Sequence, residues 1–409
     1  RDFCLSRGLG DVYKRQLLGG AQYLLPVIEE AHKLGLYVIT CDYLPDNIAH
    51  KHSDEYRNVS IIDKDAVLST ARELGIDGIM SFACDPGVVT AAYVAEKLGL
   101  PFAGSYEAVS ILQNKGRFRR FLTENGFNVP WAKSYTEPAD ALSDSAGFNW
   151  PMIVKPVDSA GSKGVTRVDS PGALLTAIEH AKAFSICGDF IIEEFITQQG
   201  FSSDTDCFSV DGVLRYCSFD EQHFDAHADN PYTPAAYAWP STMPAWAQAE
   251  LRGELQRLIT LLGLGTGLYN IETRLGTNGK TYIMEVSPRG GGNRLSEVLS
   301  MAAETNLVAN AVKSAVGLPV DEMRDPVYNG HWTEIILHSG RDGIFRALDI
   351  APELESAVVQ RDLWVKPGDA VERFSGANKA IGTLVMNFST REDAEKYMAD
   401  DSWYSVAVD

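Results

Sequence analysis

Residues 268–275 (LYNIETRL) and 280–289 (KTYIMEVSPR) decide how the rest of the chain is read. In both, apolar or aromatic residues alternate with polar ones, the period of a β-strand. Gly276-Thr277-Asn278-Gly279 separates them, and Asn-Gly is a strong hairpin signal because both residues tolerate the positive φ of a type I′ turn. With Asn278 and Gly279 at the centre of the turn, Thr277 pairs with Lys280. Counting back then sets Glu272 directly opposite Glu285 on one face. Facing carboxylates repel each other, a cost accepted mainly where a cation sits between them. Oxygen ligands that leave room for waters and phosphates suit Mg²⁺. Arg289 follows in a Pro288-Arg289-Gly290-Gly291-Gly292-Asn293 loop, placed to meet an anion. The plainer alternative is a solvated hairpin carrying one unfavourable charge pair.

The 409 residues suit roughly two to four domains or subdomains, and an apolar content of 45% supports real cores. A net charge of −19 argues against a nucleic-acid partner, which needs a basic footprint. Nucleotide binding stays open, since it needs only a local positive cluster. Six cysteines without a C-x-x-C pattern suggest a reducing cytoplasm. No apolar run is long enough to cross a bilayer, so no membrane partner is expected.

Residues 1–16 (RDFCLSRGLGDVYKRQ) lack both an initiator Met and the apolar segment of a signal peptide. DVYKRQ is also a legal translation of a transposase end sequence used in preparing sequencing libraries. The segment therefore reads as an assembly artefact; a natural basic arm is the rival reading. The first strand is expected to end at Leu17-Leu18, its place filled by residues 12–16 or poorly ordered.

From residue 17 to 104 strands and helices alternate. Glycine turns at Gly19-Gly20 and closures at Gly35, Gly75 and Gly99 predict a parallel, doubly wound sheet. Gly19-Gly20-Ala21 is not a G-x-G-x-x-G fingerprint, so a nicotinamide cofactor is not expected. Asp42 and Asp85 stand at strand ends, either beside the switch-point crevice or as helix caps. Residues 155–165 (KPVDSAGSKGV) form a small-residue loop between two strands, offering backbone N–H groups and Lys155 and Lys163 to phosphates. The apolar strand 190–196 (FIIEEFI) carries Glu193 and Glu194, explained either by a nucleoside or by a solvated strand end. Residues 220–245, aromatic and proline-rich, predict a mobile lid, and His223 and His227 within it are not expected to bind zinc. A helical run is predicted over 296–316 and an α+β tail over 331–409.

Lys115 on a helix, Met152–Pro156, the Ser159–Gly164 loop, Ile192–Ile196, Asn270-Ile271-Glu272 and Met284–Arg289 stand in an order and spacing that resembles the ATP-grasp superfamily of carboxylate–amine ligases. The resemblance covers nearly the whole chain after residue 16. It implies a multidomain α/β and α+β chain: a parallel, Rossmann-like doubly wound domain (17–112), an ATP-grasp fold of a small lid subdomain (113–189) and a core subdomain (190–325), and a small α+β C-terminal cap (326–409), with 1–16 set aside as non-native.

The same resemblance implies roles. Lys115 and Lys155 would contact ATP phosphates, and the loop carrying Ser159, Gly161, Ser162, Lys163 and Gly164 would close over them. Glu193, Glu194, Phe195 and Ile196 would read the adenine and, with a nearby acid such as Asp204, hold the ribose. Glu272, Glu285 and Ser287 would bind Mg²⁺, with Mn²⁺ as an alternative. Arg289, Lys155 and Asn293 would form the catalytic set. Ser287 stands where the family pattern has Asn; it either ligates or holds a water, and Asn293 either takes over that task or binds substrate. The implied reaction converts a carboxylate to an acyl phosphate and joins it to an amine, both small molecules, in a cytoplasmic enzyme whose relatives are often homodimers. ATP-driven carboxylation or carbamoyl-phosphate-like chemistry is one alternative, against which a roomy 220–245 segment argues. A non-catalytic nucleotide-binding regulator is the other.

Overall fold

The computed structural model describes residues 14–409; all but the last three residues of the expected foreign segment lie outside that range. The first sheet is parallel, in the order Glu55–Asn58, Tyr37–Asp42, Lys14–Leu18, Gly78–Ser81. Helices Leu25–Lys33, Lys64–Leu74 and Asp85–Leu98 pack on it. Gly75 and Gly99 close two of these helices at φ +59° and +67°, a left-handed position glycine takes without a Cβ penalty.

Next come two short helices, Tyr106–Gln113 and Lys115–Glu124. Asn114 separates them and caps the second by accepting from Arg117 N at 3.0 Å. The small subdomain is an antiparallel sheet ordered Ala132–Tyr135, Phe190–Glu194, Met152–Pro156, Thr166–Val168. Phe190–Glu194 lies inside this sheet, bonded on both edges. The boundary expected between residues 189 and 190 therefore falls after Glu194. An apolar strand seen in sequence cannot show which of two sheets supplies its partners.

The central sheet is antiparallel, in the order Val213–Cys217, Ser203–Val210, Gly267–Leu275, Thr281–Ser287, with helix Ala245–Leu262 packed against it. Its hairpin departs from the expected turn. Gly276 N donates to Lys280 O at 2.9 Å, so the loop is Thr277-Asn278-Gly279, with Gly279 at φ +73°. That shifts the register by one residue. A bulge at Met284 shifts it back, because Thr273 pairs with Ile283 while Glu272 pairs with Glu285. The predicted carboxylate pair is thus reached by a different path.

Residues 220–245 are not a mobile lid. Glu221–Phe224 and Pro234–Trp239 are strands that open a five-stranded sheet continued by His331–Leu337, Gly382–Phe388 and Val358–Leu363. Residues 225–233 and 240–244 remain irregular. The C-terminal cap is therefore not built from 326–409 alone, and the argument from a roomy lid against a small substrate falls. A further sheet joins Ala370–Val371, Gly343–Ile350 and Tyr404–Val408, and the expected helix near the end is Arg391–Ala399. The run 296–316 divides into Leu295–Ala303 and Leu307–Ala315, the second capped by Asn306, which accepts from Ala309 N at 2.8 Å. Among the described residues no helix is long and apolar enough to cross a membrane.

One apolar cluster ties the domains together, joining Val27 and Ile28 of the first domain to Trp239, Val298 and Val312. The glycine loop after the hairpin rests on the same junction. A Cβ on Gly290 would meet the Phe82 ring at 2.3 Å, and Ala83 N donates to Gly290 O at 3.0 Å. Glycine is needed there for space. The left-handed turn that follows is taken by Asn293 and Arg294, at φ +50° and +61°.

Arg15 is the anomaly of the first sheet. It lies on an inner strand between Val38 and Gly78 and is fully buried. Nε, Nη1 and Nη2 have no hydrogen-bond partner among the described residues, and burial pulls its pKa down to about 9. An unpaired buried cation is expensive. Arg15→Val should raise stability by at least ~1 kcal/mol, read as a higher urea midpoint at constant slope; a lower midpoint would show that the guanidinium is compensated.

Candidate active site

On the central sheet, Asp204 pairs with Glu272 and Glu272 with Glu285; one step along, Asp206 pairs with Asn270 and Asn270 with Ser287. Side chains alternate with period two, so these six polar residues share one face as two rows of three. Cations reach the first row from two directions. Lys115 Nζ lies 3.3 Å from Glu285 Oε2, and Arg274 Nη2 lies 3.1 Å from Glu272 Oε1. Arg274 was legible in sequence, since it follows Glu272 by two residues on one strand.

A cavity of about 530 Å³ opens beside this row. Lys115, Lys155 and the loop residues Ser159, Gly161, Ser162 and Lys163 line it, as do Glu193, Glu194, Phe195 and Ile196 with Ile153 and Met284. Glu272 and Glu285 complete the wall. The loop is held from both sides. Lys115 Nζ donates to Ser159 O at 2.9 Å, Ser162 Oγ donates to Tyr232 O at 2.8 Å, and Asn230 Nδ2 donates to Ser162 O at 3.1 Å. Arg167, which sequence reasoning missed, stacks its guanidinium 4.5 Å from the Phe195 ring centroid at the cavity edge.

Glu193 differs from the expected ligand-reading acid. Its carboxylate is buried, 2.7 Å from Lys155 Nζ and 2.9 Å from Arg119 Nε. Burial pushes its pKa up, but Arg119 and then Lys155 outweigh that and leave it at about 2. Burial pulls Lys155 down from its ordinary range against the opposing pull of Glu193. Two cations share one carboxylate, so the cluster keeps a positive excess beside the cavity. Arg119 sits one helical turn after Lys115, on the same side of the helix, a spacing visible in the sequence.

Five expected site residues do not line the cavity. A Cβ on Gly164 would meet Pro156 Cγ at 2.9 Å, so this glycine serves the closure of the loop. Ser287 Oγ donates to Asp85 Oδ1 at 2.6 Å and accepts from Gln113 Nε2 at 2.8 Å, which spends its hydroxyl away from the Glu272–Glu285 gap. Arg289 grips Asp85 with Nε at 2.9 Å and Nη2 at 2.6 Å. Burial works against ionised Asp85, but Arg289 holds its pKa below the usual range. Asp85 thus anchors the glycine loop to the first domain rather than merely capping a helix. Asn293 accepts from Tyr23 Oη at 3.1 Å and donates to Tyr237 Oη at 3.2 Å. Asp204 stands beside Glu272, not beside Phe195. Burial, then Glu272, raises its pKa to about 7. Burial also raises Asp206 to about 6, tempered by Ser296 and Gly291 N.

The donor set fits a hard divalent cation. Glu272 and Glu285 face each other with oxygen ligands only. Among the described residues no group of three or more His, Cys, Asp or Glu converges as a cage. Mg²⁺ held by one or two carboxylates together with phosphates and waters does not need one.

Residues 148–297 match the ATP-grasp domain. This stretch carries the ATP-grasp domain, and nearly the whole chain follows the fold of the solved structures named below. The formate-dependent phosphoribosylglycinamide formyltransferase of Parasynechococcus marenigrum (strain WH8102) is 26% identical over 322 residues, covering 74% of this chain and 76% of its own. The L-amino acid ligase from Bacillus licheniformis superposes with a TM-score of 0.80 at 20% identity, over 97% of this chain and 99% of its own. The biotin carboxylase domain of Hydrogenobacter thermophilus 2-oxoglutarate carboxylase, solved with MgADP, ADP and bicarbonate, superposes with a TM-score of 0.73 at 14% identity, over 97% of this chain and 91% of its own.

The buried Glu193 cluster yields a direct test. Glu193→Gln should cost roughly 3–5 kcal/mol by leaving two buried cations without a counter-charge. Glu193 has a folded pKa of about 2, below its ordinary 4.5, so its contribution is complete above that value and fades as pH falls toward 2. The stability gap between wild type and Glu193→Gln should therefore narrow across this window in urea titrations; a constant gap would refute the assigned ionisation.

Proposed function

We propose that the protein is an ATP- and Mg²⁺-dependent ligase that activates a small-molecule carboxylate as an acyl phosphate and joins it to an amine. ADP and phosphate are the other products. The observation that carries this reading is Glu272 facing Glu285 on the wall of a cavity that also holds Lys115, Lys155 and the 159–163 loop. The ATP-grasp match and the formate-dependent relative support it. A reducing cytoplasm fits the five described cysteines, which form no disulfide with one another.

A carboxylate is a poor electrophile, and a mixed anhydride with phosphate is a good one. Ile153, Phe195 and Met284 offer an apolar slot to the adenine, and the backbone N–H of Ile196 would offer its edge a hydrogen bond, since those of Glu194 and Phe195 donate to Trp131 O and Pro151 O. Lys115, Lys155 and the N–H groups of the 159–163 loop would hold phosphate oxygens. Glu272 and Glu285 would hold Mg²⁺, which supplies charge neutralisation at the phosphates. Arriving phosphates can take Lys115 and Arg274 from these carboxylates and so free them for the metal. The γ-phosphoryl group passes to a carboxylate oxygen as its bond to ADP breaks. The amine nitrogen attacks the acyl carbon, the C–O bond to phosphate breaks, and phosphate leaves with the electron pair while the nitrogen gives up protons to solvent. Charge stabilisation falls to Lys115 and Lys155, since Arg289 is committed to Asp85. The loop clasped by Ser162 and Asn230 keeps water from the intermediate.

The test is ADP release from Mg-ATP in the presence of pooled small carboxylates, formate and amino acids included, with hydroxylamine trapping acyl phosphate as hydroxamate. One pool should stimulate both signals, and Glu285→Gln should lower them by at least ~100-fold. ADP release indifferent to every pool, or undiminished in the variant, would reject the proposal.

A further inference from the structure

Apart from Glu194, which lines the cavity but is exposed, the carboxylates around the cavity are mostly matched with cations. Glu272 has Arg274, Glu285 has Lys115, Asp85 has Arg289, and Glu193 has Lys155 and Arg119. Asp206 is fully buried and wrapped by Ser296 Oγ, Gly291 N at 2.8 Å and Asn270 Nδ2 at 3.3 Å. Asp204 is different. It is only partly buried and faces Glu272 across the ladder. Its oxygens accept from neutral donors: Asn270 Nδ2 at 2.9 Å, Gln222 Nε2 at 3.2 Å and Tyr237 Oη at 3.3 Å. Among the described residues it forms no salt bridge.

Arg289 acts on Asp204 but is bonded to Asp85, and the acids behind Asp204 add no positive charge. Asp220 Oδ1 receives the Asp204 N–H at 2.8 Å. Glu334 stands opposite Tyr237 on the next strand. Both acids are fully buried, and Asp220 Oδ2, Glu334 Oε1 and Glu334 Oε2 have no hydrogen-bond partner among the described residues. Arg294, the cation that acts on Glu334, is bonded to Glu297 at 2.8 Å. Burial raises Asp220 and Glu334 well above the ordinary carboxyl range and so favours their neutral forms; the carboxylate that can carry charge here is Asp204, which adjoins the row that would hold the metal and phosphates. Gln222 lines the cavity and bonds Asp204, which joins the two places.

We propose that the Asp204 carboxylate binds the positively charged nitrogen of the amine substrate, a primary or secondary ammonium group, and holds it beside the acyl carbon, which it attacks as the free amine after losing one proton to solvent. The assignment rests on the ligase reading above. Three hydrogen bonds from Asn270, Gln222 and Tyr237 hold the carboxyl group in place, and an ammonium group arriving beside it favours its ionised form. Asp204 acts on the second half-reaction and is not required to make the acyl phosphate.

Hydroxylamine separates the two halves, because it is uncharged at neutral pH and needs no anionic partner. The carboxylate pool that gives the strongest hydroxamate signal with wild-type enzyme is used with hydroxylamine and, separately, with pooled amines that are protonated at pH 7. Asp204→Asn should raise KM for the protonated amine by at least about tenfold and lower hydroxamate formation far less. Asp204→Glu, which keeps the charge, should recover part of the loss. Equal loss of both products in Asp204→Asn, or a shifted Mg²⁺ half-saturation with KM for the amine unmoved, would overturn the assignment. Absence of hydroxamate from every pool with wild-type enzyme would overturn the ligase reading itself.

Discussion

Two carboxylates held opposite each other across a strand pair, Glu272 and Glu285, are the constraint on which the site depends. Such a pair is unfavourable unless positive charge is supplied. Lys115 and Arg274 supply it here, one from the helix that precedes the small subdomain and one from the same strand as Glu272. This arrangement couples the site to the chain's architecture. The helix carrying Lys115 also carries Arg119, which reaches the buried Glu193 together with Lys155. A single helix thus links both subdomains electrostatically. Its charges are placed where an incoming polyphosphate can exchange with the carboxylates.

The glycine loop after the hairpin holds the first domain in register with that site. Gly290 is pressed against Phe82, and Arg289 forms a two-pronged bond to Asp85. An arginine expected to meet a transferred phosphoryl group is instead a fastening between domains, and Ser287 joins the same fastening through its hydroxyl. The Coulombic gain of a buried ion pair is offset by the cost of taking both charges out of water, whereas removing one partner leaves an uncompensated buried charge. The cost of desolvating both partners explains why the pair sits at a junction where neither charge could be left alone.

The hairpin also shows how a correct conclusion can arise through compensating local errors. A two-residue Asn-Gly turn and a three-residue loop differ by one position in register, which alone would send Glu285 to the wrong partner. The bulge at Met284 adds the missing residue. Bulges have no dependable sequence mark, because the extra residue is accommodated by neighbouring strands and not by its own chemistry. The strand-rich character of 220–245 escaped notice for a related reason. Prolines and aromatics mark turns and lids, yet Pro234 begins a strand where a bulge interrupts pairing, a position proline tolerates.

Local chemistry alone determined much of this protein: the alternating strands, the glycine helix ends, the cation-bearing loop and the order of Lys115, Lys155, Glu272 and Glu285. Those features depend on residues within a few positions of one another, or on a motif order that the chain carries in one dimension. Tertiary structure alone decided that Phe190–Glu194 completes the small sheet, that Arg289 is spent on Asp85, and that Glu193 is shared by Arg119 and Lys155. It also set Asp204 beside Glu272 with no salt bridge among the described residues. Each of these depends on which distant charge or strand edge arrives first at a given group. Pairing across 34 to 204 positions is set by packing, not by the residue's own propensity.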